Sequence, residues 1–129
     1  MTVDKLLLQL NQNELLNNTF KIGFLPNDGK LVEGLEEALI SFNDEEFKVF
    51  IFEGVFKPKY QKTLKFYFKD IKEIEMGKYT IKDKYLKLIF NDEEYLVFSY
   101  FYKQRKYEKQ AINVEKFLNI LYEISNMNV

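Results

Sequence analysis

The chain has 129 residues, 47% of them apolar and 30% charged, with 19 basic against 20 acidic side chains. That length suits one domain with a substantial core and is too short for two ordinary ones, while five glycines and two prolines leave no room for a long flexible linker. Cysteine and histidine are both absent, which excludes disulfides, thiolate nucleophiles, zinc fingers and all imidazole chemistry.

Serine occurs at Ser41, Ser99 and Ser125 alone, and no glycine-rich phosphate cradle is present. Carboxylate or lysine chemistry stays open, but no constellation singles out a catalytic residue, a metal-ligand set or a cofactor. The expectation is a non-enzyme without cofactor. The first ten residues lack a basic leader and a long apolar run, and no segment reaches the 18 or more apolar residues of a membrane span. A cytoplasmic protein without a transmembrane segment is expected.

In chain order, residues 1–18 form a helical segment. Leu6, Leu7 and Leu10, then Leu15 and Leu16, give an apolar stripe at helical spacing, divided by Asn11-Gln12-Asn13. From Thr19 the period changes to two. Phe20, Ile22 and Phe24 predict a strand, and Pro26-Asn27-Asp28-Gly29 a turn. Leu35–Phe42 and Phe47–Phe56 predict a hairpin. Leu64, Phe66 and Phe68 alternate with Lys65, Tyr67 and Lys69, and Tyr85–Phe90 leads into Tyr95–Phe101. At the C-terminal end, residues 111–129 hold Phe117, Ile120, Leu121 and Ile124 in an apolar helical stripe, with Asn113 as its N-cap and Glu115 in its first turn.

The two hairpin turns repeat one another. Phe42-Asn43-Asp44-Glu45-Glu46-Phe47 recurs as Phe90-Asn91-Asp92-Glu93-Glu94-Tyr95. A calcium loop needs wider ligand spacing and a glycine in its bend. The repeat therefore reads as two solvated turns, started by side chains that bond their own backbone.

The sum is a single domain, residues 1–129, mainly β with helices (α+β): about seven strands over 19–110 in a bent antiparallel sandwich or barrel, a short N-terminal helix and a capping C-terminal helix. Asp70-Ile71-Lys72-Glu73-Ile74, followed by a strand pair and a helix, resembles pleckstrin-homology-like (PH-like) domains of the GRAM and bacterial PH groups over residues 19–126. The resemblance implies a binding or scaffolding module. It brings no ligand with it: phosphoinositide-binding members carry a basic, arginine-containing first hairpin, where this chain offers Lys21 and Lys30. Phe117 stands where classical members place a tryptophan in the closing helix.

Charge is divided along the chain. Residues 1–56 carry 4 basic and 10 acidic side chains, net −6, whereas residues 57–110 carry 14 and 8, net +6. Lys57, Lys59 and Lys62, then Lys82, Lys84 and Lys87, then Lys103, Arg105 and Lys106 are candidate contacts for anionic lipid or nucleic acid. Arg105 is the single arginine, which leaves almost no bidentate base reading. Two strands are also apolar on both faces. Phe50 and Phe52 oppose Phe47, Val49 and Ile51, and Tyr95 and Phe101 oppose Leu96, Phe98 and Tyr100. Something must cover the second face, so Phe50, Phe52, Tyr95 and Phe101 form a candidate protein interface. The expected role is protein binding or scaffolding, with a protein partner or homo-oligomer. Anionic attachment, or a small inhibitory or immunity protein that neutralises a cytosolic partner, are the alternatives.

Overall fold

A computed structural model describes residues 1–24, 37–54, 56–78 and 84–127. Period-two alternation yields seven antiparallel strands: β1 (Asn18–Phe24), β2 (Glu37–Phe42), β3 (Glu46–Glu53), β4 (Lys59–Tyr67), β5 (Ile71–Lys78), β6 (Lys84–Phe90) and β7 (Tyr95–Tyr100). They form one sheet in the order β4-β3-β2-β1-β7-β6-β5. Two helices complete the domain, α1 (Val3–Leu7) and α2 (Gln110–Met127). The α+β, mainly β class read from the pattern is the one observed. The predicted Pro26–Gly29 turn, Lys30 and Lys82 lie outside the described residues.

The sheet curls on itself. Although four strands separate β4 from β6 in the sheet order, Phe66 of β4 stacks on Phe90 of β6 with centroids 4.7 Å apart. The inner face carries Phe20, Ile40, Phe42, Phe47, Val49, Leu88 and Phe98, and α2 closes it with Val114, Phe117 and Leu121. Phe117 is the hub. Its ring meets Phe20 and Phe42 at 5.2 Å, Phe47 at 5.4 Å and Phe68 at 5.5 Å, three of them edge to face, the geometry aromatic quadrupoles prefer.

The outer face of β2 and β3 is covered as well. Val3, Leu6 and Leu10 pack on Leu39, Phe50 and Phe52 in a second core. The break Asn11-Gln12-Asn13 does divide the N-terminal segment: Gln12–Glu14 is a 3-10 turn whose Asn11 Oδ1 accepts from the Asn13 N–H. Beyond it, the Leu16 N–H donates to buried Ser41 Oγ at 2.8 Å.

Three local expectations are corrected, and one element is added. Helix α2 starts at Gln110, so Asn113 lies inside its first turns rather than at the cap, and no acidic residue occupies the first turn. Strand β3 ends at Glu53, before Phe56, because Gly54 turns the chain with φ +118°, a conformation side chains rarely tolerate. Strand β7 ends at Tyr100, one residue before Phe101. The segment after Asp70 runs on as the edge strand β5, where Gly77 admits the Tyr85 ring: a Cβ there would sit 2.5 Å from it.

Strand β1 explains why α2 begins where it does. It pairs with β2 over Asn18–Ile22 but with β7 over Ile22–Phe24 alone, so its backbone at Thr19 and Lys21 faces no strand on the β7 side. Side chains replace the ladder. Gln110 accepts from the Lys21 N–H at 2.9 Å and donates to the carbonyls of Lys21 at 2.9 Å and Phe101 at 3.0 Å. The Thr19 carbonyl accepts from Asn113 Nδ2 at 2.7 Å and the Tyr107 hydroxyl at 2.6 Å. Buried backbone groups must be paired, and these three side chains do it.

Candidate functional site

The predicted interface residues do not form one surface. Phe50 and Phe52 are fully buried beneath α1, because Val3, Leu6 and Leu10 supply the cover their face required. As a docking surface they are ruled out in this fold. Tyr95 and Phe101 are half-buried at opposite ends of β7, and Lys87 Nζ lies 4.9 Å over the Tyr95 ring.

The predicted basic residues are spread over separate elements. Lys57 precedes β4, and Lys59 and Lys62 lie on it. Lys84 and Lys87 belong to β6, which four strands separate from β4 in the sheet order. Lys103, Arg105 and Lys106 are exposed in the loop between β7 and α2. Lys84 Nζ sits 5.5 Å over the Tyr102 ring, so the β6 lysines are both engaged with neighbouring tyrosines.

What the fold does bring together are the two repeated turns. The chain crosses from edge strand β4 to edge strand β5 through a 3-10 turn, Phe68–Asp70. The Phe68 N–H donates to the Glu45 carbonyl at 3.0 Å, and the Asn91 N–H to the Asp70 carbonyl at 2.9 Å. Both turns therefore flank this corner. Their internal bonds explain the shared sequence only in part. Asn43 Oδ1 accepts from the Glu45 and Glu46 N–H groups at 2.9 Å, whereas the second turn places Glu93 at φ 68° and uses Asp92 Oδ1 to accept from the Glu94 N–H. Similar residues make two different turns.

Beside the corner lies a groove of about 830 Å³ between the first turn, the start of β5 and the second half of α2. Phe68, Ile71, Ile120 and Ile124 give it apolar lining, and its charged lining is Asp44, Glu45 and Glu123 together with Lys69 and Lys72. A second hollow of about 330 Å³, with Leu64, Phe66 and Phe90 in its lining, shares Tyr67 and Asn91 with the first. The lysines of the corner are engaged. Lys72 bonds Glu93 at 2.6 Å, a contact that holds its ammonium pKa above the usual value, and Lys65 bonds Glu46 at 3.1 Å with the same consequence. Lys69 Nζ lies 5.7 Å over the Tyr67 ring. Asp44, Glu45 and Glu123 have no ion pair among the described residues. No three acidic side chains there could hold a metal ion. The groove thus combines apolar lining with carboxylates that have no cationic partner.

Sequence reasoning set the repeated turns aside as solvated tips, and nothing local could show that they meet across 48 residues at one corner. It also passed over Phe56 and Leu8, which are 95% and 83% exposed.

No protein-family model and no curated protein sequence matches the chain. Among solved structures, the hSac2 domain from the human phosphoinositide phosphatase Sac2 is similar, with a TM-score of 0.58 and 10% sequence identity over 96% of this chain and 79% of that one. At that identity the similarity is one of fold. Among the described residues no helix is long and apolar enough to cross a membrane.

Proposed function

We propose that the protein is a non-catalytic, PH-like protein-binding module acting in the cytoplasm, and that its corner groove takes a basic amphipathic segment of a partner. The observation that carries this reading is the groove itself: apolar lining from Phe68, Ile71, Ile120 and Ile124, with Asp44, Glu45 and Glu123 unpaired at its side. Concave, mostly apolar sites with a few oriented polar groups are where ligands bind, and opposite charge fixes orientation and rejects wrong partners. The PH-like reading is supported by the strand order, with a terminal helix closing the curled sheet.

Selection from a random-sequence peptide library tests it. Enriched peptides should be basic and amphipathic. The double charge reversal Glu45→Lys/Glu123→Lys, at two exposed positions, should weaken them about tenfold, since exposed pairs contribute about 0.2–1 kcal/mol each. Failure to enrich any sequence, or enrichment of peptides indifferent to the reversal, would refute the reading.

A further inference from the structure

We propose that the loop joining β3 to β4 anchors the protein on an anionic membrane surface, with Phe56 as the inserted side chain. Phe56, at 95%, is the most exposed of the large hydrophobic side chains among the described residues, and it is singled out from the others by the lysines that follow it in the chain. Its chain neighbours supply a basic collar. Lys57, Lys59 and Lys62 are exposed and have no ion pair among the described residues, and Tyr60 is 41% exposed beside them. Glu53, opposite Lys59 in the strand register, is the one acidic residue described between positions 53 and 62.

The side of the loop that enters β4 is held by Gln9. Gln9 Nε2 donates to the Pro58 carbonyl at 2.9 Å, and Gln9 Oε1 accepts from the Tyr60 N–H at 2.8 Å. Pro58 is buried, and Gly54 makes the tight exit from β3 that brings its Cα side within 3.3 Å of the Lys57 carbonyl, measured from where a Cβ would stand. The glutamine that holds this side is preceded by Leu8, itself 83% exposed. An aromatic tip with a lysine collar matches both parts of a bilayer interface: aromatic rings settle at the headgroup level, and each lysine near an anionic leaflet adds attraction. Nucleic acid fits less well. The aliphatic Leu8 offers no stacking face, and the single arginine lies elsewhere, between β7 and α2.

The inference does not rest on the groove. The loop follows the C-terminal end of β3 and the groove's first turn precedes its start, so the two are separated by the strand's length, roughly 24 Å at 3.4 Å per residue.

The chain has no tryptophan, so Phe56→Trp places a sole reporter at the tip. Its emission should shift to the blue on adding vesicles of phosphatidylcholine with phosphatidylserine, stay unchanged with pure phosphatidylcholine, and return on raising salt. In co-sedimentation with the same vesicles, Phe56→Ser should lower partitioning of the full chain about tenfold while leaving its charge intact, and Lys57→Gln and Lys59→Gln about fivefold each. Emission that stays water-like, or partitioning indifferent to Phe56→Ser, overturns the proposal. So does a single-stranded oligonucleotide that binds more tightly than the anionic vesicles and is unaffected by Leu8→Ser, because the loop would then be a nucleic-acid contact. Circular dichroism of each variant should match the parent, since Phe56 and Leu8 contribute almost nothing to the core.

Discussion

Replacing Gln110 with alanine removes three hydrogen bonds from one buried point, because the side chain is 1% exposed and bridges Lys21 and Phe101 at 2.9–3.0 Å. A net bond contributes about 1 kcal/mol, and a deserted buried backbone group costs more. Gln110→Ala should therefore destabilise the domain by about 3 kcal/mol, read as a lower urea midpoint at unchanged slope. Gln110→Glu separates the hydrogen-bond argument from simple packing. The carboxylate still accepts from the Lys21 N–H, but its other oxygen faces two carbonyls with no proton between them. Burial and those carbonyls favour the neutral acid, so the variant's folded-state pKa lies above the unfolded value of about 4.3. A raised folded-state pKa means that the stability is fully present below the unfolded value and lost as pH rises through the folded one. Relative to the parent, Gln110→Glu should gain stability on acidification. A loss under about 1 kcal/mol for Gln110→Ala, together with a pH-independent Gln110→Glu, would show that water serves the open edge of β1 and that the glutamine plug is dispensable.

Two further outcomes follow from packing and burial. Phe117→Ala vacates the ring contacts with Phe20, Phe42, Phe47 and Phe68 and should cost about 3–5 kcal/mol in the same unfolding assay; a loss below about 2 kcal/mol would mean that α2 does not seat on the sheet as described. Burial pushes the Tyr107 hydroxyl above its ordinary pKa of 10.0, Asp4 adds to the rise and the Asn113 hydrogen bond opposes it. Its contribution is thus present below pH 10 and lost as pH rises through the folded-state value, when the donor to the Thr19 carbonyl disappears. Melting temperature should fall on the alkaline side, and Tyr107→Phe should flatten that fall; identical slopes in the two proteins would contradict it.

The strands were legible wherever one face is buried and the other is not. Leu64-Lys65-Phe66 and Leu86-Lys87-Leu88 alternate because neighbouring strands hold their register. Strand β5 was obscured because its pairing shifts register between Ile71 and Glu73 and its free edge leaves Met76 53% exposed, so the period of two breaks. The helix start was misplaced for a different reason. Asparagine before an apolar stripe is a good cap signal, yet here Asn113 and Gln110 serve β1, about 90 residues earlier in the chain, and no local pattern reports a distant unpaired strand edge. Phe50 and Phe52 were rightly placed on the second face; what covers that face is a tertiary fact, settled by Val3 and Leu6. Phe56 lies two residues past the Glu53-Gly54 interruption that follows the apolar run Val49–Phe52, and that single charge and glycine did not mark which ring is the last one buried.

The division of charge along the sequence acquires a spatial meaning at this point. Asp44 and Glu45 belong to the acidic half and stand before β3, while Lys57, Lys59 and Lys62 belong to the basic half and follow it. An antiparallel meander returns successive turns to alternate ends of its strands, so a change of sign between the β2–β3 turn and the β3–β4 loop becomes a change of sign between two ends of the domain. The net charge of −1 hides this polarity. It is also what lets the two proposed activities coexist: a basic segment in the groove is drawn away from the lysine collar, and a bilayer that attracts the collar repels the carboxylates of the groove. Binding at one end therefore leaves the other free, the arrangement a scaffold at a membrane surface requires.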